Sequence, residues 1–516
     1  MKRTLLIVVS LFVAVALYGQ NIAEYHSEAI ETSSRYTGGN AYQQDLLLYA
    51  DMLSTTHPYY ADAKHRATLD RRVRKMYREC ANLDDVKAFR LMLARLAASL
   101  GDGHTAILYW GDMNTIFPVR LALDGDKPAI VDVTAEEHKE LLGREVKLIN
   151  GRPLKSILKE ARAIVSADND VNFENLVKEY LMFAEFWSFL GMSDELLTLT
   201  LADGSSVDIA AINKNSLKIA RLQRDDIERV TAMRNTLFDY TVFENEGICY
   251  LQFNQFVDRV THPQYQQIAR FDSFVAEMMA EIEEKQVETL VVDLQYNGGG
   301  NSMLGNVLLS WLIPNADMKS YGVDVRISEL LISTYPYYRN FTYDGEPVVV
   351  GEVYDMFRFD HNRVAVERAQ PAQDSTQHQL NLDLERIFRG NVIFVEGKES
   401  FSSATLLLTL ARDNGVGIIV GESSGGKPSH YGDLLYCTLP NTGTIATVSH
   451  KYFVRPDRAK DDCEYIMPDV EVELNNPDRD VLWEWIVSTF DKRKRCDSKS
   501  SDDSYLWDTI YRPSMN

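Results

Sequence analysis

Two serines, Ser402 and Ser403, stand where the turn-forming stretch VEGKESF runs into the apolar run ATLLLTLARD. Lys427 follows Ser402 by 25 positions, in the glycine-rich turn SSGGKPSH. At a helix start the unpaired N–H groups and the dipole favour negative charge. A serine alkoxide there, and the oxyanion it would generate, both gain from that field. The competing use is ordinary helix capping by Ser400 or Ser402, which serines often perform. A second stretch, DLQYNGGGNS (293–302), carries three consecutive glycines after a strand-like run. Its spacing does not fit GxGxxG, because Met303 occupies the third glycine position, and no GK[ST] follows for a phosphate loop. Glycines in series let a backbone come close and aim its N–H groups, which an oxyanion hole requires. A flexible loop is the alternative. A base must then take the serine proton. Lys427 starts near a pKa of about 10.4 and needs burial to bring it down. His104, in GDGHT (101–105), starts near about 6.5 and needs little adjustment. His430, in the same turn as Lys427, is a third candidate.

The elements that must hold these groups can be read from periodicity. Residues 41–100 read as helical, most clearly in DDVKAFRLMLARLAASLG, where Val86, Phe89, Leu93, Leu96 and Leu100 recur at spacings of three and four. Asp84 is the expected N-cap and Gly101 the stop, which leaves His104 on a loop at an element boundary. From about 116 to 210 short strands alternate with turns. EVKLINGRPLKSIL reads as strand, Asn-Gly turn and helix, and 172–190 as a helical stretch. From about 235, GICYLQFNQF, ETLVVDLQYNGGG, NVIFVEG and GVGIIVGE are strand candidates. RFDSFVAEMMAEIEEK, NSMLGNVLLSWLI and SATLLLTLARDNG between them are helix candidates. Alternating elements with continuous apolar strands predict an α/β layer structure.

Four segments in order, LVVDLQYNGGG, SFSSATLLLTLARD, VGESSGGKPSHYGD and IMPDVEV, resemble the core motifs of the C-terminal-processing (tail-specific) serine peptidases. GDGHT is similar to the tricorn-like branch of that family. The resemblance implies a crotonase-like (ClpP/crotonase-type) α/β peptidase core. It also implies an N-terminal helical region and a PDZ-like or β-rich inserted domain. Matched residue by residue, it implies Ser402 as nucleophile, with Gly300 and the N–H of Ser403 as oxyanion donors. The base is His104, preferred over Lys427, and an acidic partner falls at Asp462, with Glu464 a nearby substitute. The usual Ser-Ala-Ala-Glu around the nucleophile reads here Ser402-Ser403-Ala404-Thr405, so a threonine stands where the family has an acid. The implied reaction is hydrolysis of peptide bonds in peptides or unstructured tails through an acyl-enzyme, with no cofactor and no metal. The ten histidines include no HExxH pair.

The expected organisation is a signal peptide over 1–20 and a helical region over 21–106. A PDZ-like or β-rich domain spans 107–215, and a peptidase core 216–490 with an insertion at about 320–388. A polar tail over 491–516 follows. Lys2 and Arg3 before the apolar run Leu5–Leu17 have the order of an export signal, with cleavage near Gly19 or Gln20. Export to a periplasm or the extracellular space is therefore expected. A formal charge of −21 argues against a nucleic-acid surface. No later run is long enough for a membrane span. The five scattered cysteines form no CxxC pair and indicate neither a disulfide framework nor zinc. Self-association into a homo-oligomer stays open. The rival from another class is a catalytically degenerate relative that binds a peptide or a hydrophobic ligand. A carbohydrate-active enzyme fails for want of a paired-carboxylate motif.

Overall fold

The apolar runs ICYLQF, TLVVD and NVIFVE form three neighbouring parallel strands, Ile248–Phe253, Thr289–Asp293 and Asn391–Glu396, in a computed structural model of the chain. The structure describes residues 38–493, apart from 109–113, 124–127, 134–135, 215–228, 263, 315–316, 357–377, 462, 475 and 477. The expected signal peptide lies outside the described residues, as does nearly all of the polar tail.

The chain divides into two compact units that interleave in sequence. One consists of the described residues of Met1–Arg224 with Val323–Met356 and His430–Phe453. The other consists of those of Asp225–Gly322, Phe357–Ser429 and Val454–Asn516.

The second unit is built on a six-stranded sheet. Its order is Val470–Glu471, Ile418–Gly421, Asn391–Glu396, Thr289–Asp293, Ile248–Phe253 and Phe238–Phe243. All neighbours are parallel except the last pair, which is antiparallel. The central strands are buried along nearly their whole length, which is why they read as continuous hydrophobic runs rather than alternating ones. Helices Phe271–Glu284 and Ser403–Asp413 supply crossovers between parallel strands. Helix Val481–Phe490 places Leu482, Ile486 and Phe490 in a cluster with Ile248, Val291, Ile393 and Val420 of the sheet.

The first unit begins with helices Ala41–Thr56, Ala63–Cys80 and Val86–Ala98. The third is capped by Asp85, whose carboxylate accepts from the N–H groups of Lys87 and Ala88, so the expected cap at Asp84 is displaced by one residue. Both positions carry aspartate, and periodicity cannot separate adjacent candidates. The Asn-Gly turn falls between strand Val146–Ile149 and helix Leu154–Ala161, with both turn residues at positive φ. The helical stretch expected at 172–190 is two helices, Asp170–Tyr180 and Ala184–Phe189. Three strands, Val146–Ile149, Leu196–Leu201 and Ser206–Ala210, form an antiparallel sheet. A four-stranded sheet runs in the order Val353–Asp355, Gly322–Arg326, Ile445–Val454, His430–Thr438. Among the described residues no helix is long and apolar enough to cross a membrane. The described cysteines are free thiols, with Cys80, Cys249 and Cys437 buried and Cys463 exposed.

Candidate active site

In the second unit the strands Thr289–Asp293 and Asn391–Glu396 lie side by side and end at the same level, Asp293 facing Val395. The glycine loop leaves the first and the Ser402 turn leaves the second. Both lie at the carboxyl ends of parallel strands, where open α/β sheets bind their ligands. Ser402 is half-buried and adopts φ +53°, ψ −118°. A non-glycine residue there is strained and persists only where its surroundings fix it. Helix Ser403–Asp413 starts at the next residue, and the Ser402 side chain makes no capping hydrogen bond to it. The capping alternative is therefore not realised at Ser402. Ser400 instead ties two loops together. Its Oγ donates to the carbonyl of Leu294 at 2.8 Å and accepts from the N–H of Gly397 at 3.0 Å.

Gly299 and Gly300 sit at φ +107° and +131°. A Cβ on Gly299 would lie 2.7 Å from the Ser402 Cβ, and one on Gly300 would lie 2.4 Å from the Phe256 carbonyl oxygen. Both glycines are required by close approach as well as by φ. Phe256 donates its N–H to the carbonyl of Gly299 at 2.9 Å and accepts from the N–H of Asn301 at 2.8 Å. The Gly300 carbonyl accepts from the Ser403 hydroxyl at 2.6 Å, which joins the glycine loop to the start of the helix. Asn297, fully buried, braces them further. Its Oδ1 accepts from the N–H of Gly299 at 2.8 Å, its Nδ2 donates to the Phe253 carbonyl at 2.7 Å, and its backbone carbonyl accepts from Phe401 N–H at 3.0 Å.

Thr405, which stands where an acid was expected from the resemblance, is buried against Gly426, whose added Cβ would collide with the threonine Oγ1. Gly426 belongs to the turn that carries Lys427. Lys427 Nζ pairs with Glu464 Oε2 at 2.6 Å. The same turn is held by Glu396, at the end of its strand, whose Oε1 accepts from the Ser424 N–H at 2.9 Å. Burial pushes the Glu396 carboxyl up to about 8. At the far end of the helix Asp413 receives a two-pronged, buried contact from Arg455, at 2.6 and 3.1 Å. Asp462 lies outside the described residues.

His104 belongs to the first unit. Its loop leaves helix Val86–Ala98 through Gly101, at φ +65°, and is laid along strand Ile445–Val454. Thr447 Oγ1 donates to the His104 carbonyl at 2.7 Å, and Ser449 N–H to Thr105 Oγ1 at 3.0 Å. The imidazole is buried, with Nδ1 at 3.7 Å from Asp102 Oδ1 and its ring stacked on that of His430, 5.7 Å between centroids. Burial pulls the His104 pKa down. The Asp102 carboxylate beside its Nδ1 and the charges of Asp168 and Asp433 outweigh that, and the net shift is upward. Burial likewise pushes Asp102 up, but contacts with His104 and His57 prevail and hold it well below the usual carboxylate range. Asp102, His104 and Asp168 have ligand atoms within 4.8 Å of one another. Asp168 Oδ1 accepts from Gly103 N–H at 2.6 Å, and Asp102 is engaged by His57, Ser449 and the His104 loop.

Sequence reasoning did not single out Asp102, Asp168, Asn297 or Glu396. The first, third and fourth lie inside motifs it quoted, whereas nothing local marks Asp168.

Residues 247–472 match the family model Peptidase family S41. The matched segment, 226 of 516 residues, is similar to an S41 peptidase core. The matched segment contains the glycine loop, Ser402 and Lys427. No curated protein matches the chain. Among solved structures, mature CPAF is similar at 14% identity and TM-score 0.57, covering 84% of this chain and 92% of that one. Mature CPAF complexed with lactacystin matches at the same identity and score, covering 88% and 98%. A CPAF point mutant matches at 12% identity and TM-score 0.59, covering 90% and 98%. At these identities the likeness is one of fold, and it agrees with the mixed α/β architecture of the S41 core.

Proposed function

We propose that the S41 core hydrolyses peptide bonds in peptides or unstructured protein tails by acyl transfer through Ser402. The observation that carries this reading is the strained Ser402 turn at a helix N-terminus, pressed against Gly299 of the neighbouring strand's loop. In the proposed cycle Ser402 Oγ attacks the carbonyl. The N–H groups of Gly300 and Ser403 receive the oxyanion, the intermediate collapses by breaking the C–N bond as the amine leaves with the proton held by the base, and water then hydrolyses the acyl-enzyme. His104 is proposed as the base that takes the Ser402 proton. The resemblance of GDGHT supports it, and so does a carboxylate-rich environment suited to an imidazolium. The Lys427–Glu464 ion pair speaks against Lys427 in that role. Asp462 or Glu464 as acidic partner, a crotonase-like fold for the core and a PDZ-like or β-rich insert belong to the same reading. So do export to a periplasmic or extracellular space and binding of an extended peptide at a strand edge.

The test is direct. Wild-type protein should cleave a fluorescently labelled unfolded protein such as casein and be labelled by a serine-directed fluorophosphonate. Ser402→Ala should lose both. His104→Ala should lose turnover, and Lys427→Ala should keep at least a tenth of it. Lactacystin, found bound to CPAF, serves as a second probe. A folded wild-type protein that neither reacts nor cleaves would point to the ligand-binding alternative.

A further inference from the structure

His57 is fully buried, and its two ring nitrogens have distinct partners. Nδ1 accepts from the Tyr59 N–H at 3.2 Å. It therefore carries the lone pair, and the ring proton sits on Nε2, 3.1 Å from Asp102 Oδ2. The ring packs on Tyr431, 4.4 Å between centroids, and its carbonyl accepts from the buried Arg326 at 2.8 Å. The ring thus has one orientation and one tautomer. Asp102 Oδ2 also accepts from Ser449 Oγ at 2.7 Å. With both donors on Oδ2, the second oxygen, Oδ1, is left to the His104 loop. It accepts the His104 N–H at 2.9 Å and lies 3.7 Å from His104 Nδ1, within ion-pair reach but beyond hydrogen-bond length.

We propose that His57 and Asp102 are positioning residues for His104: His57, with Ser449, locks the Asp102 carboxylate so that the charge on Oδ1, 3.7 Å from His104 Nδ1, favours the ring proton at Nδ1 and makes Nε2 the accepting nitrogen. This rests on His104 being the base. Asp102 stays ionised and exchanges no proton. When His104 Nε2 takes up the serine proton, the imidazolium is stabilised by a carboxylate that is already oriented. Other charged or titratable groups facing His104 are Asp168, from the loop before helix Asp170–Tyr180, and Asp433 and His430 of strand His430–Thr438. They make the environment acidic, but Asp102 is the carboxylate placed at Nδ1.

The experiment uses the Ser402→Ala full chain and two-dimensional 1H–15N spectra of the imidazoles, with His104→Gln and His57→Gln removing signals to assign them. With both imidazoles in place, His57 should be the Nε2–H tautomer and His104 the Nδ1–H tautomer. A His104 resting as Nε2–H overturns the proposal without any risk from misfolding. Asp102→Asn should weaken proton binding at His104 by about tenfold or more, and an unchanged titration overturns the proposal. In the active protein Asp102→Asn should lower kcat by about 100-fold or more with KM little changed, and move the acid limb of kcat/KM downward with the His104 titration. If the titration moves and the acid limb does not, His104 is not the base. The proposed catalytic role then fails while the positioning stands.

Discussion

Gly300→Ala tests the oxyanion loop at its tightest point. The new Cβ would lie 2.4 Å from the Phe256 carbonyl oxygen and 2.8 Å from its carbon, at φ +131°. Both neighbours are backbone, so no side chain can swing aside and the loop itself must move. The positive φ costs about 1–3 kcal/mol, and relieving the overlap costs about 1–3 kcal/mol more. The variant should therefore lose roughly 2–6 kcal/mol of stability, which calorimetry reads as a lowered Tm. The catalytic loss is separate. Displacing one oxyanion donor costs about 100- to 1,000-fold in kcat. Gly345→Ala is the control, since φ is +85° there and nothing lies within 4 Å of the added Cβ. It should cost stability through strain alone and leave turnover unaltered. Cleavage of labelled casein, normalised to folded protein, gives the comparison. A folded Gly300→Ala protein with kcat within about threefold of wild type would refute the assignment of this loop to the oxyanion.

Asn297→Ala strands two buried backbone groups, the Gly299 N–H and the Phe253 carbonyl, at about 1–3 kcal/mol each, so Tm and kcat should fall together while Asn297→Asp keeps the contact to Gly299. Glu396 gives a pH dependence. Its folded pKa of about 8 exceeds its ordinary 4.5, so between those values the folded chain holds a proton that the unfolded chain has released. Stability should be fullest at the acid end of that window and fall by a few kcal/mol as pH rises through 8. In Glu396→Gln the decline in Tm should flatten, and a decline unchanged by the substitution would show that another group is responsible. Arg455→Ala leaves the buried Asp413 carboxylate without its two-pronged partner, and should cost about 3–5 kcal/mol in a denaturant titration; a loss below about 1 kcal/mol would show that the pair is solvated.

The strands of the S41 core were legible because a strand buried on both faces must be apolar at every position, and ICYLQF, TLVVD and NVIFVE are nearly so. The glycine loop and the Ser402 turn were legible as types: three glycines and a serine before an apolar helix have few purposes. What their spacing could not give is the φ of Ser402, which depends on Gly299 across a strand boundary. The His57–Asp102 contact joins residues 45 apart, the first on the turn after a helix and the second on a glycine loop. No periodicity relates them. Nor does any pattern announce that Val323–Met356 and His430–Phe453 group with the N-terminal residues. Local sequence marks a strand but does not say which sheet receives it.

The strain at Ser402 has an identifiable support. An isolated residue at φ +53° would relax, since the conformation costs on the order of 1–3 kcal/mol. Here the residues on both sides are held. Ser400 ties the incoming chain to Leu294 and Gly397, and Phe401 N–H is fixed on the Asn297 carbonyl. The Ser402 carbonyl accepts from Leu406 N–H inside the helix, and Ser403 Oγ is bound to Gly300. Each net contribution is about 1 kcal/mol, and together they exceed the strain. Relaxation of Ser402 would have to break several of them at once, and it would also move Gly299 and Gly300. The nucleophile turn and the oxyanion loop therefore form one cooperative unit, and a change that loosens either should be read at both.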